Sequence, residues 1–248
     1  TAMEIREFMA DEYSDIKPGT IRRYLKMLRA VCNYGKKMGM CKEVPTIPMP
    51  RVDDARDAHL NLEEIDAFLE WVAKERPAMY TPFVLLLDTG MRVGELLLLE
   101  FRDVREGELH VRKKDHGKSK GRTVPLSARA KAAVELVRKA PSAKVYTDCG
   151  KDFGGSSRSR MLLATTLEQG CEAIGAPRLR VLDLMHTFAY QAAMHGADLG
   201  DLQQMLGHKT LAMTLRYRGY IKSRATSVVG QFGRVQKTCE ESVMAAAA

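Results

Sequence analysis

Three segments of this chain carry side chains that can act together on a phosphodiester. Arg92 lies in Thr-Gly-Met-Arg-Val-Gly-Glu-Leu (residues 89–96), a basic glycine-containing loop spans residues 113–121, and Tyr217 follows His208 by nine residues. A guanidinium can bond two phosphate oxygens, and a phenol can attack phosphorus to form a covalent phosphotyrosine. A lysine or a histidine can protonate the departing oxygen. Because the new diester is similar to the one broken, such an exchange needs no ATP.

Each of these residues also has an ordinary structural explanation when it is considered alone. Tyr217 can be a half-buried tyrosine, His208 can cap a helix, and Lys118 can be a solvated loop lysine. Arg92 can pair with Glu95 on its own helix. The order and spacing of the separate signals therefore carry the functional interpretation, not any single residue.

In that order and spacing the chain resembles the tyrosine recombinases, the family of phage integrases and related DNA strand-exchange enzymes. The resemblance extends from about residue 60 to residue 220. It implies that Arg92 clamps the phosphate, with Glu95 and Asp103 as supporting acids. It also implies that His208, in Leu-Gly-His, bonds the scissile phosphate and that Tyr217 is the nucleophile.

The basic loop resembles the β-hairpin that carries the catalytic lysine of this family. The segment reads Lys-Ser-Lys-Gly-Arg-Thr-Val-Pro-Leu over residues 118–126. The resemblance implies that Lys118 is the catalytic lysine. The hairpin is about one residue shorter than usual, so Lys120 and Lys114 remain alternatives. Lys120 and Arg122 are also expected to contact DNA.

The second catalytic segment departs from the family at two positions. The family pattern is His-x-x-Arg-His-Thr-Phe-Ala, whereas residues 182–189 read Leu-Asp-Leu-Met-His-Thr-Phe-Ala. Leu182 replaces the histidine and Met185 replaces the second arginine, and neither can donate a hydrogen bond to phosphate. His186 is expected to be a supporting structural partner. We therefore expect the chain to cleave DNA poorly or not at all.

Composition limits the classes of function that need to be considered. The 248 residues carry a net charge of +8, with net +3 over residues 1–50, −7 over 51–110 and +12 over 111–248. Such blocks can attract a polyanion, although solvated lysines explain them equally well. The five cysteines are scattered without a Cys-x-x-Cys pair, which is typical of reduced thiols and favours no metal site. No cofactor is expected.

No apolar run reaches the length of a membrane span, and the start does not resemble a signal peptide. We expect a cytoplasmic, nucleoid-associated protein encoded by a bacterium or a phage. Its expected partner is double-stranded DNA, on which the family resemblance implies a homotetramer. Residues 221–232 would then pack against a neighbouring protomer. Neither a membrane nor a small-molecule substrate is expected.

The first part of the chain is predicted to be a DNA-binding piece. Residues 20–37 have helical spacing, with Thr20 as the predicted N-cap. One face of this helix is apolar: Ile21, Tyr24, Leu25, Leu28, Val31 and Cys32. Another face is basic and is expected to contact DNA: Arg22, Lys26 and Arg29. Prolines and charges over residues 49–58 indicate a linker and therefore a domain boundary. The family resemblance implies that residues 1–48 are part of a helical core-binding domain and that residues 59–248 form the catalytic domain.

The catalytic domain is predicted to be mainly α-helical with one small antiparallel sheet. Asn61 and Glu64 form a capping-box pattern before a helix whose buried stripe is Ile65, Phe68, Leu69 and Val72. Strands are predicted at residues 109–111 and 122–124, with a third at 145–146. Further helices are predicted at residues 92–100, 127–139, 156–174, 182–195, 199–206 and 210–217.

Two other functions remain open at this point. A catalytically silent DNA-binding protein on the recombinase fold would account for Leu182 and Met185. A type IB topoisomerase shares the tyrosine chemistry, although the compact size and the Leu-Gly-His segment favour a recombinase.

Overall fold

The chain is described by a computed structural model over residues 3–4, 16–50, 58–112, 121–146 and 157–221. Its internal contacts divide it into two compact units, Thr1–Asp57 and Ala58–Ala248. None of the helices in the described ranges is long and apolar enough to cross a membrane.

The first unit contains one long helix, α1 (Pro18–Lys37). Proline suits the first helical position because the amide it lacks would have no helical partner there. The N-cap is Lys17, which makes no side-chain cap, so the predicted cap at Thr20 is wrong. Leu25 is the buried residue of this helix. Large apolar side chains that α1 leaves exposed include Tyr24, Leu28 and Val31.

The second unit is a helical domain with a small sheet, as the sequence predicts. Its α-helices are α2 (Leu62–Glu75), α3 (Tyr80–Thr89), α4 (Val93–Leu96), α5 (Ala128–Leu136), α6 (Ser157–Ala173), α7 (Asp183–Met194) and α8 (Leu199–Leu206). Short 3₁₀ segments lie at Pro77–Met79, Phe101–Asp103, Leu211–Met213 and Leu215–Tyr220.

Helix α3 occupies the centre of this unit. It contacts α2, α5 and α7, and its residues from Thr81 to Leu87 are all buried. A helix that is covered on every side needs no polar face, which explains the continuous apolar run in this part of the sequence.

Helix α2 confirms the predicted cap and the predicted stripe. Asn61 Oδ1 accepts from the Glu64 amide at 2.8 Å, and Glu64 Oε2 accepts from the Asn61 amide at 2.8 Å. This reciprocal pair satisfies two amides that have no partner within the helix. The buried residues of α2 are Ile65, Phe68, Leu69 and Val72.

The sheet has three antiparallel strands in the order β1 (Val104–Arg105), β2 (Glu108–Val111) and β3 (Arg122–Pro125). Leu109 lies opposite Val124, and both are buried. Two predicted strands are thus confirmed, but the third is Val104–Arg105 and not residues 145–146. The latter segment pairs elsewhere, because the Val145 amide donates to the Leu99 carbonyl at 3.0 Å.

Two predicted helices are shorter or tighter than the sequence pattern indicated. Instead of residues 92–100, α4 is one turn, because the backbone at Glu100 is extended and its amide donates to Asp103 Oδ2 at 3.0 Å. Residues 210–217 form 3₁₀ turns, not an α-helix. The fully buried Thr214 separates these turns, and its hydroxyl lies 2.9 Å from His208 Nδ1.

The contact between α2 and α6 gives a stability prediction. A Cβ added at Gly170 of α6 would lie 2.8 Å from Cδ2 of Phe68 and 3.0 Å from Cε3 of Trp71. Alanine usually stabilises a helix interior relative to glycine, but here the overlap reverses the sign. We expect Gly170→Ala to lower the free energy of unfolding by about 1–3 kcal/mol in urea denaturation.

The control is Gly35→Ala in α1, where the nearest atom is Cys41 Sγ at 3.6 Å. That variant is expected to be neutral or stabilising by up to about 1 kcal/mol. A Gly170→Ala protein as stable as the parent would show that α2 and α6 do not approach this closely.

Candidate active site

A glycine turn places Arg92 between three helices. Gly90 ends α3 in the left-handed conformation (φ +60°), which favours glycine. A Cβ at Gly90 would lie 2.9 Å from Leu206 of α8 and 3.0 Å from Cε1 of Phe188 of α7. The turn therefore packs directly on both helices, and Arg92 follows it as the N-cap of α4.

The Arg92 side chain is anchored at one of its nitrogens. Nη1 donates to the Leu206 carbonyl at 3.2 Å and lies 3.5 Å from Glu95 Oε1. The Arg92 amide also donates to Glu95 Oε2 at 2.9 Å. About a quarter of the side chain (28%) remains exposed, so a phosphate can reach the guanidinium.

Glu95 also forms a buried, bidentate ion pair with Arg122. Nη2 lies 2.9 Å from Oε2 and Nη1 lies 3.1 Å from Oε1, while the two side chains are only 6% and 3% exposed. Arg122 Nε donates to the Met205 carbonyl at 2.5 Å. The expectation that Arg122 contacts DNA is therefore corrected, because its guanidinium is buried on protein acceptors. Arg122 precedes Val124, the buried residue of β3, by two positions, and residues two apart on a strand share a face. This spacing was the sequence signal that the Arg122 side chain faces the core.

Asp103, predicted as a second support for Arg92, belongs to a different cluster. Its Oδ1 and Oδ2 accept from Arg112 Nε and Nη2, each at 2.7 Å, and Oδ2 also accepts from the Glu100 amide. This cluster holds the end of β2 to the turn before β1, whereas Arg92 is supported by Glu95 and by the Leu206 carbonyl.

His208 lies at the end of α8, directly after a second left-handed glycine. Gly207 (φ +63°) turns the chain out of the helix, and the His208 amide donates to the Gln203 carbonyl at 3.0 Å. The side chain is buried, with Nδ1 2.9 Å from the Thr214 hydroxyl. Burial lowers the pKa of His208 to about 4, and the positive charge of Arg92 contributes in the same direction. His208 is consequently neutral at physiological pH.

Tyr217 is buried in the 3₁₀ segment Leu215–Tyr220. Its phenolic oxygen lies 2.5 Å from His186 Nδ1. Burial raises the pKa of the Tyr217 phenol to about 12, although the charges of Arg216 and Arg92 act in the opposite direction. The phenol is therefore protonated at neutral pH.

The structure brings Arg92, His208 and Tyr217 together. Arg92 bonds the carbonyl of Leu206, two residues before His208, and Leu206 packs in the same apolar cluster as Tyr217. The charge of Arg92 also lowers the pKa of both other groups. The end of α8 thus connects Arg92 with His208, and the apolar cluster around Leu206 connects it with Tyr217.

The two residues that depart from the family pattern, Leu182 and Met185, occupy different environments at the start of α7. Leu182 precedes the helix and is 52% exposed. Met185 is 7% exposed and packs in the apolar cluster that contains Tyr217. Position 185 is thus part of the small core beneath the phenol, and position 182 is open to solvent.

The nearby arginines on the loop before α7 are already paired. Arg178 Nη2 lies 2.7 Å from Glu168, and Arg180 Nε lies 3.5 Å from Asp183. Arg216 is different, because it lies beside the nucleophile. Its Nη1 is 3.4 Å from His186 Nε2, and its Cζ is 5.7 Å from the centre of the Tyr217 ring. The sequence reasoning missed Arg216, although its position next to Tyr217 was a signal.

The remaining predicted residues lie elsewhere. Lys118, Lys120 and Lys114 fall outside the described residues. In the first unit, Lys26 is exposed, and Arg29 Nη2 donates to the Ile47 carbonyl at 2.9 Å. Arg22 is half-buried, and its Nε has no hydrogen-bond partner among the described residues. Within those residues no group of three histidine, cysteine or acidic side chains could hold a metal ion.

The Glu95–Arg122 pair gives a second stability prediction. Glu95→Ala leaves the Arg122 guanidinium buried without its carboxylate, which typically costs about 3–5 kcal/mol. We expect a loss of this size in the free energy of unfolding, measured by urea denaturation. The double variant Glu95→Leu/Arg122→Met removes both charges and should recover a large part of it.

The exposed pair Glu135–Arg138 is the matched control, with both side chains about half exposed. Glu135→Gln should change stability by less than about 1 kcal/mol. If Glu95→Ala were equally mild, the Glu95–Arg122 pair would not be the buried anchor of the site.

Comparisons with known proteins agree with this geometry. A sequence model of the phage integrase family matches residues 59–224. The shufflon-specific DNA recombinase of Escherichia coli is 26% identical over 236 residues, which cover 88% of this chain and 57% of that relative. Tyrosine recombinase XerD of Staphylococcus aureus is 29% identical over 224 residues, covering 86% of this chain and 76% of that relative. The chain therefore spans little more than half of the first relative.

Solved structures show the same fold. The Tn1549 transposon integrase in complex with transposon right end DNA matches with a TM-score of 0.72 and 17% identity, over 95% of this chain and 85% of that chain. The XerH site-specific recombinase bound to palindromic difH substrate matches with a TM-score of 0.69 and 20% identity, over 94% and 72%. Because the family model covers most of the chain, including Arg92, His208 and Tyr217, this protein belongs to the phage integrase family.

Proposed function

We propose that the chain is a tyrosine-type DNA strand transferase, a site-specific recombinase or integrase whose cleavage step is impaired. The observation that supports this proposal is that Arg92 donates to the Leu206 carbonyl, two residues before His208, and that Leu206 packs with Tyr217. A type IB topoisomerase shares this tyrosine chemistry, but the compact size and the Leu-Gly-His segment favour a recombinase.

The proposed reaction exchanges one phosphodiester for another. The Tyr217 oxygen attacks phosphorus, the bond to the 5′ oxygen breaks, and a 3′-phosphotyrosine remains on the protein. Arg92 stabilises the charge that develops on the non-bridging oxygens, and His208 contributes a neutral hydrogen bond to them. Lys118, or alternatively Lys120 or Lys114, protonates the departing 5′ oxygen. Attack by a 5′ hydroxyl on the phosphotyrosine reverses these steps and rejoins DNA.

The residues at positions 182 and 185 weaken this site. Loss of one preorganised donor, at Leu182, typically costs about 10²–10³ in rate. Loss of an arginine at a phosphoryl centre, at Met185, costs roughly 10³–10⁵. With a phenol pKa of about 12, only about 10⁻⁵ of Tyr217 is phenolate at pH 7. Slow cleavage follows from all three features.

The partner in this proposal is double-stranded DNA. Residues 1–48 serve as part of a core-binding domain, residues 49–58 link it to the catalytic domain, and both domains contact DNA. Lys26 and Arg29 of α1 contribute phosphate contacts, so affinity decreases as salt increases. The assembly is a homotetramer on two DNA sites; residues 222–232, which the family resemblance implies would pack against a neighbour, lie outside the described residues. The DNA complexes of the Tn1549 integrase and XerH support the choice of partner.

A second candidate function is a DNA-binding protein that does not cut. The burial of Met185 favours it, because a side chain 7% exposed in an apolar cluster belongs to the core. Such a protein would occupy or pair recombination sites without forming a covalent intermediate.

Covalent trapping tests the chemistry directly. The protein is incubated with nicked duplexes that carry candidate core sites, denatured, and examined for a DNA adduct on a gel. We expect a slowly formed adduct that is abolished in Tyr217→Phe, because that variant lacks the attacking oxygen but keeps the ring. DNA binding by both proteins is measured in parallel, and an adduct that survives in Tyr217→Phe would reject Tyr217 as the nucleophile.

Restoring the family residues separates the two candidate functions. The double variant Leu182→His/Met185→Arg is expected to form the adduct at least about 10³ times faster, since it regains a donor and a cation. Met185→Leu, which conserves the apolar volume, is the control and should change nothing. If the double variant folds and binds DNA but gains no cleavage, the chain is a dedicated DNA-binding protein.

A further inference from the structure

Three side chains form a continuous series of contacts that ends at the candidate nucleophile. The Arg216 guanidinium lies 3.4 Å from His186 Nε2, and His186 Nδ1 lies 2.5 Å from the Tyr217 oxygen. Arg216 and Tyr217 are adjacent on one 3₁₀ segment, whereas His186 belongs to α7. The imidazole therefore bridges the phenol and the guanidinium from a separate element.

The chemistry of these groups fixes the direction of both hydrogen bonds. A guanidinium has only donors, so His186 Nε2 must accept from Arg216. A neutral imidazole that accepts at Nε2 carries its proton on Nδ1. Nδ1 therefore donates to the phenolic oxygen of Tyr217. A hydrogen bond of this direction favours the anionic form of the acceptor.

We propose that His186, oriented by Arg216, is a positioning residue that holds the Tyr217 oxygen and stabilises the negative charge it acquires during attack on DNA. This inference rests on the proposed strand transfer. During that step the oxygen–phosphorus bond forms as the bond to the 5′ oxygen breaks, and the phenolic proton passes to water. His186 keeps its own proton throughout, so it acts as a donor and not as a base.

The charged groups around the phenol support this role. Arg216, on the same 3₁₀ segment, and Arg92, at the start of α4, both exert a positive charge on the phenol. On α7, Asp183 is bonded to Arg180, and Glu95 of α4 is bonded to Arg122. Positive charges thus act on Tyr217, whose ring packs in an apolar cluster, and His186 contributes a donor that directly contacts its oxygen.

A purely structural role for the His186–Tyr217 bond is less consistent with the packing. The 3₁₀ segment is already held to α7 by Tyr220, whose ring lies 4.9 Å from that of Tyr190 in an edge-to-face contact. The ring of His59 stacks on Tyr190 at 3.8 Å and lies 5.9 Å from that of Tyr220. This aromatic cluster can hold the segment in place without the polar bond.

The test compares His186→Asn with His186→Leu. The asparagine amide can place an N–H near the position of Nδ1, whereas leucine fills the space without a donor. We expect His186→Leu to form the covalent adduct about 10²-fold more slowly at saturating DNA, the usual loss for one preorganised donor. Its pH–rate profile should move to higher pH. His186→Asn should form the adduct at least about ten times faster than His186→Leu. The rate of adduct formation is measured for each His186 variant both in the original chain and in the chain that also carries Leu182→His/Met185→Arg.

The matched control is His195→Leu, at the opposite end of α7, where the exposed imidazole bonds only the Gln191 carbonyl within the described part of the chain. This variant should leave the rate and the pH profile unchanged. Equal losses in His186→Asn and His186→Leu, with no change in the pH profile, would mean a structural role and would overturn the proposal.

A second measurement does not depend on cleavage. Two-bond ¹H–¹⁵N NMR of the histidine rings reports which nitrogen carries the proton, and the His186 signals are identified by their loss in His186→Asn. We expect the Nδ1–H form in the original protein and a shift towards Nε2–H in Arg216→Gln, but not in Arg218→Gln. An Nε2–H imidazole in the original protein overturns the proposal. Absence of any Tyr217-dependent adduct, with the Nδ1–H form observed, would instead contradict the proposed strand transfer.

Discussion

The candidate site depends on the last carbonyl groups of α8. A helix leaves its final four carbonyls without partners, and cations are favoured at that end. Here Arg122 donates to the Met205 carbonyl and Arg92 donates to the Leu206 carbonyl. The end of α8 thereby holds both β3, through Arg122, and the turn after α3, through Arg92. Gly207 then turns the chain out of α8 to His208. The register of α8 consequently determines where the imidazole lies relative to the guanidinium of Arg92.

The buried charges at this helix end do not balance, and the imbalance is suited to a phosphate. Glu95 contributes one negative charge, while Arg92 and Arg122 contribute two positive charges. Arg122 takes both carboxylate oxygens, which leaves Arg92 more loosely held and partly exposed. A phosphodiester carries one negative charge, so it can compensate the remaining cation. Burial is the main reason that His208 stays neutral, and the positive charges of Arg92 and Arg122 lower its pKa further.

The sequence indicated the helices and the chemistry better than it indicated the surroundings of each side chain. The capping box at Asn61 and the buried stripe of α2 depend on local patterns, and both were confirmed. The helix predicted at residues 92–100 was too long, because pairing of residues 99–101 with 143–145 overrides helix propensity. Such long-range pairing leaves no local pattern.

The same limit applies to charged side chains. Arg122 stands in a basic loop and strand, where a DNA contact is the natural expectation, yet a carboxylate 27 positions earlier holds it inside. Asp103 and Glu95 were both predicted to support Arg92, but Asp103 pairs with Arg112 instead. The contact between His186 and Tyr217 joins positions 31 residues apart. Spacing along the chain predicts which residue types are present, but the partner that sets each role comes from the fold.

Met185 affects both reactants of the proposed reaction, which makes it the more consequential departure. On the phosphate side, it removes a cation that would stabilise the developing charge. On the protein side, it packs with Tyr217 in an apolar cluster, and burial is the main cause of the raised phenol pKa. Leu182, half exposed before α7, removes one donor without enclosing the nucleophile. One apolar side chain at position 185 thus removes a cation from the phosphate side of the proposed reaction and adds to the burial that raises the pKa of the nucleophile, an effect that the charges of Arg216 and Arg92 oppose.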